Sequence, residues 1–360
     1  MFNFLDSFDH YSTADILKKW TSKSGSVEIT SVHAIIDQCA KIPAGTTLAR
    51  AIVTESTRTW GGAHFYFDDI ADADYGIGSI FLRVETAELT QFDLRLHSDG
   101  RVGLFSEDVL ITESAAGAVE SATHVHIGYD VTIGPANDAA VFINGVTLAI
   151  VDPVDVHHDS SPADQPDMVV YVAPSFTDVY IDNVFVGDWA NFQTGSSADA
   201  PRVFPGICDI TCVQTAADSG LGVSSWASSS GADWQAVGEL RLNTTAYISN
   251  AGSSSNDELF LYDAPPTYVD APILCAALTW SWLKTDGGAV GTFAPTTVSL
   301  LSGFSIGSPD MENYAQLNAD IVPTEEKFVQ AFSNQDPATN DLWTEASLAV
   351  AELGWIYLAP

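Results

Sequence analysis

Residues 181–189, IDNVFVGDW, are the stretch on which the fold turns. Together with Val179, the apolar residues Ile181, Val184 and Val186 recur among small polar ones, the pattern of a strand with at least one buried face. We read this stretch as the last strand of a β-sandwich, returning to pair beside the first strand of the chain. The composition changes directly after it. Residues 191–200 (NFQTGSSADA) are small and polar with no apolar run, which suits an exposed connection. The expected division is residues 1–188 as one β domain, 189–200 as the connection and 201–360 as a second β-rich domain.

A chain of 360 residues is long for one β domain and comfortable for two. It has no uninterrupted apolar run of about 18 residues, so membrane insertion is not expected. The opening MFNFLDSFDHY has no basic region followed by an apolar stretch, which sets the expectation of assembly in a cytoplasm. Thirteen basic residues stand against 47 acidic ones, a net charge of -34. Phosphate contacts need clusters of Lys and Arg, and Lys18–Lys19 is the only adjacent basic pair, so nucleic acid is excluded as a partner. Cys39, Cys208, Cys212 and Cys275 are too few and too irregularly spaced for a disulfide framework or a four-ligand zinc site.

Before residue 181 the chain reads as a succession of short strands. Segments 33–36, 47–54, 64–67, 79–85, 92–97, 102–105 and 109–112 are strand-sized, rich in branched or aromatic residues and punctuated by Gly, Pro or Asp. Asp99-Gly100 and Asn144-Gly145 each lie between two such runs, the turn chemistry of antiparallel hairpins. Beyond the junction, segments 246–249, 258–262, 273–283 and 296–301 are further strand candidates, and 345–354 is expected to form a short helix capped by Thr344 and ended by Gly354. The fold class is therefore all-β: two β-sandwich, jelly-roll-like domains with a short C-terminal helix.

The order DSFDHY (residues 6–11), LRLHSDGRVGLF (94–105), VFINGVTLAIVD (141–152) and VYIDNVFVGD (179–188) resembles the concanavalin/laminin-G-like jelly roll of tailed-phage virion proteins. The continuation into a second β domain, with a DPATNDLWT segment at 336–344, is also similar to that family. The usual strand after the junction is replaced here by PRVFPGICDI (201–210). The resemblance implies a bacteriophage virion structural protein, a capsid decoration or tail fibre component. Such a protein forms homo-oligomers, docks on other capsid or tail proteins, and resides in the virion.

Jelly rolls of this kind also include carbohydrate-binding modules and glycosidases. Aromatics in loops stack on the apolar faces of sugars, which makes Trp60, Tyr75 and Trp226 the candidates for binding a host-surface glycan. Asp68, Asp69, Asp72 and Asp74 in FDDIADADYG are spaced as a solvated turn or a calcium loop, so calcium is the one cofactor to test. A glycosidase of this fold needs closely spaced carboxylates on a strand, and no ExDxxE-like strand is present. The expectation is a protein that is not an enzyme, with glycan binding as the alternative role and glycan cleavage as the third.

Overall fold

The computed structural model describes residues 2–188 apart from 55 and 160–164. Beyond 188 it describes residue 210, the strands given below and isolated positions near them. The chain divides into two compact units, Met1–Ile210 and Thr211–Pro360.

The first unit is a sandwich of two antiparallel sheets. Its strands are β1 (Phe2–Asp6), β2 (Ser22–Lys23), β3 (Glu28–Thr30), β4 (Cys39–Ile42), β5 (Thr47–Ala51), β6 (Arg58–Phe67), β7 (Ser79–Thr86) and β8 (Leu89–Leu96). They continue as β9 (Val102–Ser106), β10 (Val109–Glu113), β11 (His124–Thr132), β12 (Gly134–Ile143), β13 (Val146–Val156), β14 (Met168–Val172) and β15 (Val179–Asp188). A single helical turn, α1 (Ile16–Lys19), follows β1. The eight-stranded sheet runs β13-β12-β11-β6-β15-β4-β3 with β1 also on β15, and the seven-stranded sheet runs β10-β9-β8-β7-β14-β5-β2.

The closing strand takes the place expected of it. β15 pairs with β1 through Phe4 opposite Val186 and Asp6 opposite Val184, and it also pairs with β6 and β4. A bulge at Asn183, with φ of 49°, changes its register against β6 between Asp182 and Phe185. All ten of its residues are buried, so both of its faces are covered.

Side-chain alternation carries the core. Ala63, Phe65 and Phe67 of β6 face the opposite sheet, where Phe65 meets Phe81 of β7 at 5.2 Å between ring centroids. Tyr129 of β11 meets Phe92 of β8 at 5.3 Å in the same layer. Gly61 and Gly62 allow this packing: a Cβ on Gly61 would lie 2.8 Å from the Phe185 carbonyl oxygen, and one on Gly62 2.8 Å from that of Ile127. Both expected hairpins form, and Asn144 and Gly145 take φ of 49° and 76°, as a primed turn requires.

The N-terminal motif folds around a buried carboxylate. Asp6 Oδ1 accepts from the Phe8 N–H and from Lys19 Nζ, both at 3.0 Å. Its Oδ2 accepts from Trp20 Nε1 at 2.7 Å and from the Tyr11 hydroxyl.

Two expectations are corrected. Residues 33–36 are not a strand; they belong to an irregular strap held by carboxylates, Ile35 N–H donating to Asp182 at 2.8 Å and Gln38 N–H to Asp9 at 2.9 Å. Leu353 and Gly354, expected to end a helix, lie instead in a strand, β23 (Ala351–Leu358), which pairs with neighbours on both sides.

In the second unit, β16 (Thr215–Asp218), β19 (Asn256–Tyr262), β21 (Thr292–Ser299) and β23 (Ala351–Leu358) form a four-stranded antiparallel sheet in the order β16-β19-β23-β21. β17 (Ala227–Ser228) pairs with β18 (Ile248–Ser249), and β20 (Ala276–Trp282) with β22 (Lys327–Ser333). The chain is all-β, and among the described residues no helix is long and apolar enough to cross a membrane.

Candidate functional site

The connection from β6 to β7, residues 68–78, holds the aspartates and the tyrosine singled out in the sequence. It is held by its own side chains. Asp69 accepts from the Ala71 N–H at 2.9 Å, and the Asp69 N–H donates to Thr177 Oγ1 at 3.0 Å. Asp74 Oδ1 accepts from the Gly76 and Ile77 N–H groups at 2.7 and 2.8 Å, the local turn for which Asp is suited. Those two backbone donors hold its carboxyl below the usual carboxylate range. Ile70 and Ala73 are buried beneath the loop and anchor it.

Tyr75 projects from this scaffold with 66% of its surface exposed. Its carbonyl oxygen accepts from His97 Nδ1 at 3.1 Å and from Arg101 Nη2 at 3.4 Å, which assigns the Nδ1–H tautomer to His97. The Arg101 guanidinium lies 5.3 Å from the Tyr75 ring centroid. Arg101 is itself fixed, its Nε 2.8 Å from Asp99 Oδ2 and its Nη1 2.7 Å from Glu113 Oε2. Glu113 comes from the end of β10, so the platform joins three segments of the seven-stranded sheet's rim.

A polar row runs down β8 from this point. Phe92, Leu94 and Leu96 are buried on one parity, and Gln91, Asp93 and Arg95, followed by His97, lie on the other, where buried polar groups need partners. Arg95 donates to both oxygens of Asp93, at 2.6 and 3.0 Å, and to Asp108 at 2.6 Å. Its guanidinium lies 4.3 Å from the Phe105 ring centroid. Burial pushes the Asp93 carboxyl up despite the Arg95 contact.

Of the two expected sugar-stacking residues that are described, Tyr75 is exposed and Trp60 is not. Trp60 is fully buried in β6 against Phe2, 4.8 Å between centroids, and Phe185, 5.9 Å, so it offers no face to a ligand. Trp226 lies outside the described residues. The four aspartates are not gathered around a cation site: Asp69 and Asp74 are engaged as turn acceptors, and the Asp68 carboxylate is 3.9 Å from His33 Nε2. Among the described residues, no group of three or more His, Cys, Asp or Glu side chains could hold a metal ion.

The two histidines of β11 differ from one another. His124 is exposed, whereas His126 is buried 5.7 Å from Phe185 and 5.0 Å from His64 between ring centroids. Burial, reinforced by His64, pushes its imidazole down to about 3, so the ring is neutral. The roles of Asp99, Arg101 and Glu113 were missed in the sequence. Their only local signal is Asp99 two residues from Arg101, and Glu113 is brought in by sheet pairing.

No known family matches the sequence, and no curated protein does. The structure has distant likenesses. One is to the receptor binding domain of botulinum neurotoxin mosaic serotype C/D, at 8% identity and a TM-score of 0.33, covering 47% of this chain and 43% of that one. A second is to an alginate lyase, at 12% identity and a TM-score of 0.35, covering 51% and 96%. A third is to a carbohydrate esterase from Shiga toxin-encoding bacteriophage phi24B, at 10% identity and a TM-score of 0.33, covering 46% and 88%. The chain thus spans less than half the length of the neurotoxin domain, and no residue role is transferred from any of the three.

Proposed function

We propose that the first unit binds a carbohydrate through the Tyr75 platform and does so without turnover. The observation that carries this reading is an exposed aromatic ring on a loop locked by its own hydrogen bonds, with a guanidinium fixed beside it. Such a ring meets the C–H face of a pyranose without first having to be ordered, which lowers the entropic cost of binding. The carboxylates of Asp99 and Glu113, seated on Arg101, supply acceptors for sugar hydroxyls. A glycan array probed with the full chain and with Tyr75→Ala tests this reading. A competable signal lost in the variant is expected, and silence of the full chain across the array would refute it.

The setting we propose is the surface of a tailed-phage particle, where this chain would present the platform to a host cell as a decoration or fibre component. What supports it is the order of motifs from DSFDHY to VYIDNVFVGD, the first and last of which meet where β1 pairs with β15. Proteomics of purified particles is the measurement, and absence of the chain from them would remove the virion role while leaving glycan binding open.

A further inference from the structure

We infer that the glycan taken by the Tyr75 platform is uncharged, a hydroxyl-rich neutral saccharide and not a sialylated, uronic or sulfated one. This rests on the glycan-binding reading and narrows it. Recognition of a ligand carboxylate or sulfate is the usual work of an arginine whose planar fork is free to make two parallel hydrogen bonds. Arg101 is not free in that sense. Its Nε is 2.8 Å from Asp99 Oδ2, its Nη1 is 2.7 Å from Glu113 Oε2, and its Nη2 points to the Tyr75 carbonyl oxygen at 3.4 Å. One cation between two carboxylates leaves the cluster with a net negative charge.

The same arrangement is repeated along the face. Arg95 is held by Asp93 and Asp108, each with an oxygen at 2.6 Å, and Arg83 Nε lies 3.3 Å from Glu85. Each arginine of β7, β8 and the β8–β9 turn therefore has at least one carboxylate, and two of the three have a pair. An anionic ligand would have to displace an acid already seated on the guanidinium while approaching a surface of its own sign. The net charge of -34 adds to the repulsion beyond contact distance, weakened by salt but not reversed. A neutral sugar meets none of this opposition. Its C–H face can rest on Tyr75, and its hydroxyls can donate to the lone pairs of Asp99 and Glu113 that Arg101 leaves unused.

The test uses the full chain on immobilised dextran and mannan as neutral probes and on alginate, heparin and polysialic acid as anionic ones. Retention on a neutral probe, lost in Tyr75→Ala, with none on the anionic set is expected. The double variant Asp99→Asn/Glu113→Gln releases Arg101 and should raise retention on the anionic probes by about tenfold, the worth of one charge-assisted hydrogen bond. Should that variant fail to fold, the wild-type comparison of neutral with anionic probes decides alone. Tyr75-dependent retention on anionic probes in preference to neutral ones would overturn the inference and leave glycan binding standing. Retention on none would overturn both.

Discussion

Removal of the Asp6 carboxylate is the sharpest test of how the first unit is held together. Asp6 is 1% exposed and accepts four hydrogen bonds, from Phe8, Tyr11, Lys19 and Trp20. Lys19 is equally buried, at 2%, so Asp6→Ala leaves an ammonium group in the interior without its counter-ion. Breaking one side of a buried pair costs about 3–5 kcal/mol, because the remaining charge keeps its desolvation penalty and loses its partner. The stranded Trp20 and Tyr11 donors add to this, not additively. Against a whole-domain stability of about 5–15 kcal/mol, the variant should be close to the limit of folding. Urea unfolding of the full chain, followed by far-UV circular dichroism, measures the cost. The double variant Asp6→Leu/Lys19→Met removes both charges and should recover most of it. A cost below about 1 kcal/mol for Asp6→Ala, or a double variant no better than the single one, would refute the reasoning. Burial by itself would raise the Asp6 carboxyl, but Lys19, His10 and the hydrogen bonds hold it below its ordinary value of 3.8. Its contribution is therefore complete above that pH and is lost as pH falls below it.

Other outcomes follow from the same geometry. Gly61→Ala would place a Cβ 2.8 Å from the Phe185 carbonyl and 2.7 Å from the Tyr129 hydroxyl, and a backbone oxygen cannot yield, so a loss of about 1–3 kcal/mol in urea unfolding is expected. His126, with an imidazole pushed from 6.5 down to about 3, destabilises the fold as pH falls below 6.5, on the order of 2 kcal/mol by pH 5. Asp182 has the opposite sign: its carboxyl, raised by burial to about 7, destabilises at neutral pH, and that penalty is relieved as pH falls from about 7 to 3.8. His10 is a second buried imidazole pushed down to about 3, so His126→Phe should make the fall in stability between pH 6.5 and 5 shallower by about 2 kcal/mol, read by thermal melts across that range. Tyr75→Ala touches no core contact and should change stability by less than about 0.5 kcal/mol while removing glycan binding.

The strands that were legible in the sequence are those whose pattern is local. The Asn144-Gly145 turn and the alternation of β8 state their own conformation, and β15 could be recognised from its apolar residues alone. Legibility ended where a partner far along the chain decides the outcome. Trp60 alternates with Gly62, His64 and Tyr66 on the face turned away from the sheet partner, which reads as a surface; Phe2 and Phe185, 58 residues before and 125 after it, close over the ring. Leu353 and Gly354 read as the end of a helix, but pairing of β23 with β19 and β21 outweighs that weak local propensity. At the candidate site the loop itself was legible, because Asp and Gly at 68–78 specify tight turns. The Arg101 cluster was not, since Glu113 reaches it only through the pairing of β9 with β10.

Burial of the closing strand on both faces also limits where recognition can take place. A strand in an ordinary sandwich gives one face to the core and the other to solvent. In β15 both are covered, and its neighbours on the outer side, Trp60 and His126, are buried with it. β15 is therefore structural on both sides and offers a ligand no exposed face. At the rim of the seven-stranded sheet, by contrast, Tyr75 and Ile77 emerge exposed from a loop whose own carboxylates hold it in place. Substitutions there leave the packed layers intact. Substitutions in β15 or its outer cover unfold the unit before they can report on binding. Loss of glycan retention in Tyr75→Ala with an unchanged melting temperature, beside loss of folding in Phe185→Ala, is the pattern this division of labour requires. A Phe185→Ala protein that stays folded and loses only binding would move the site to the other sheet.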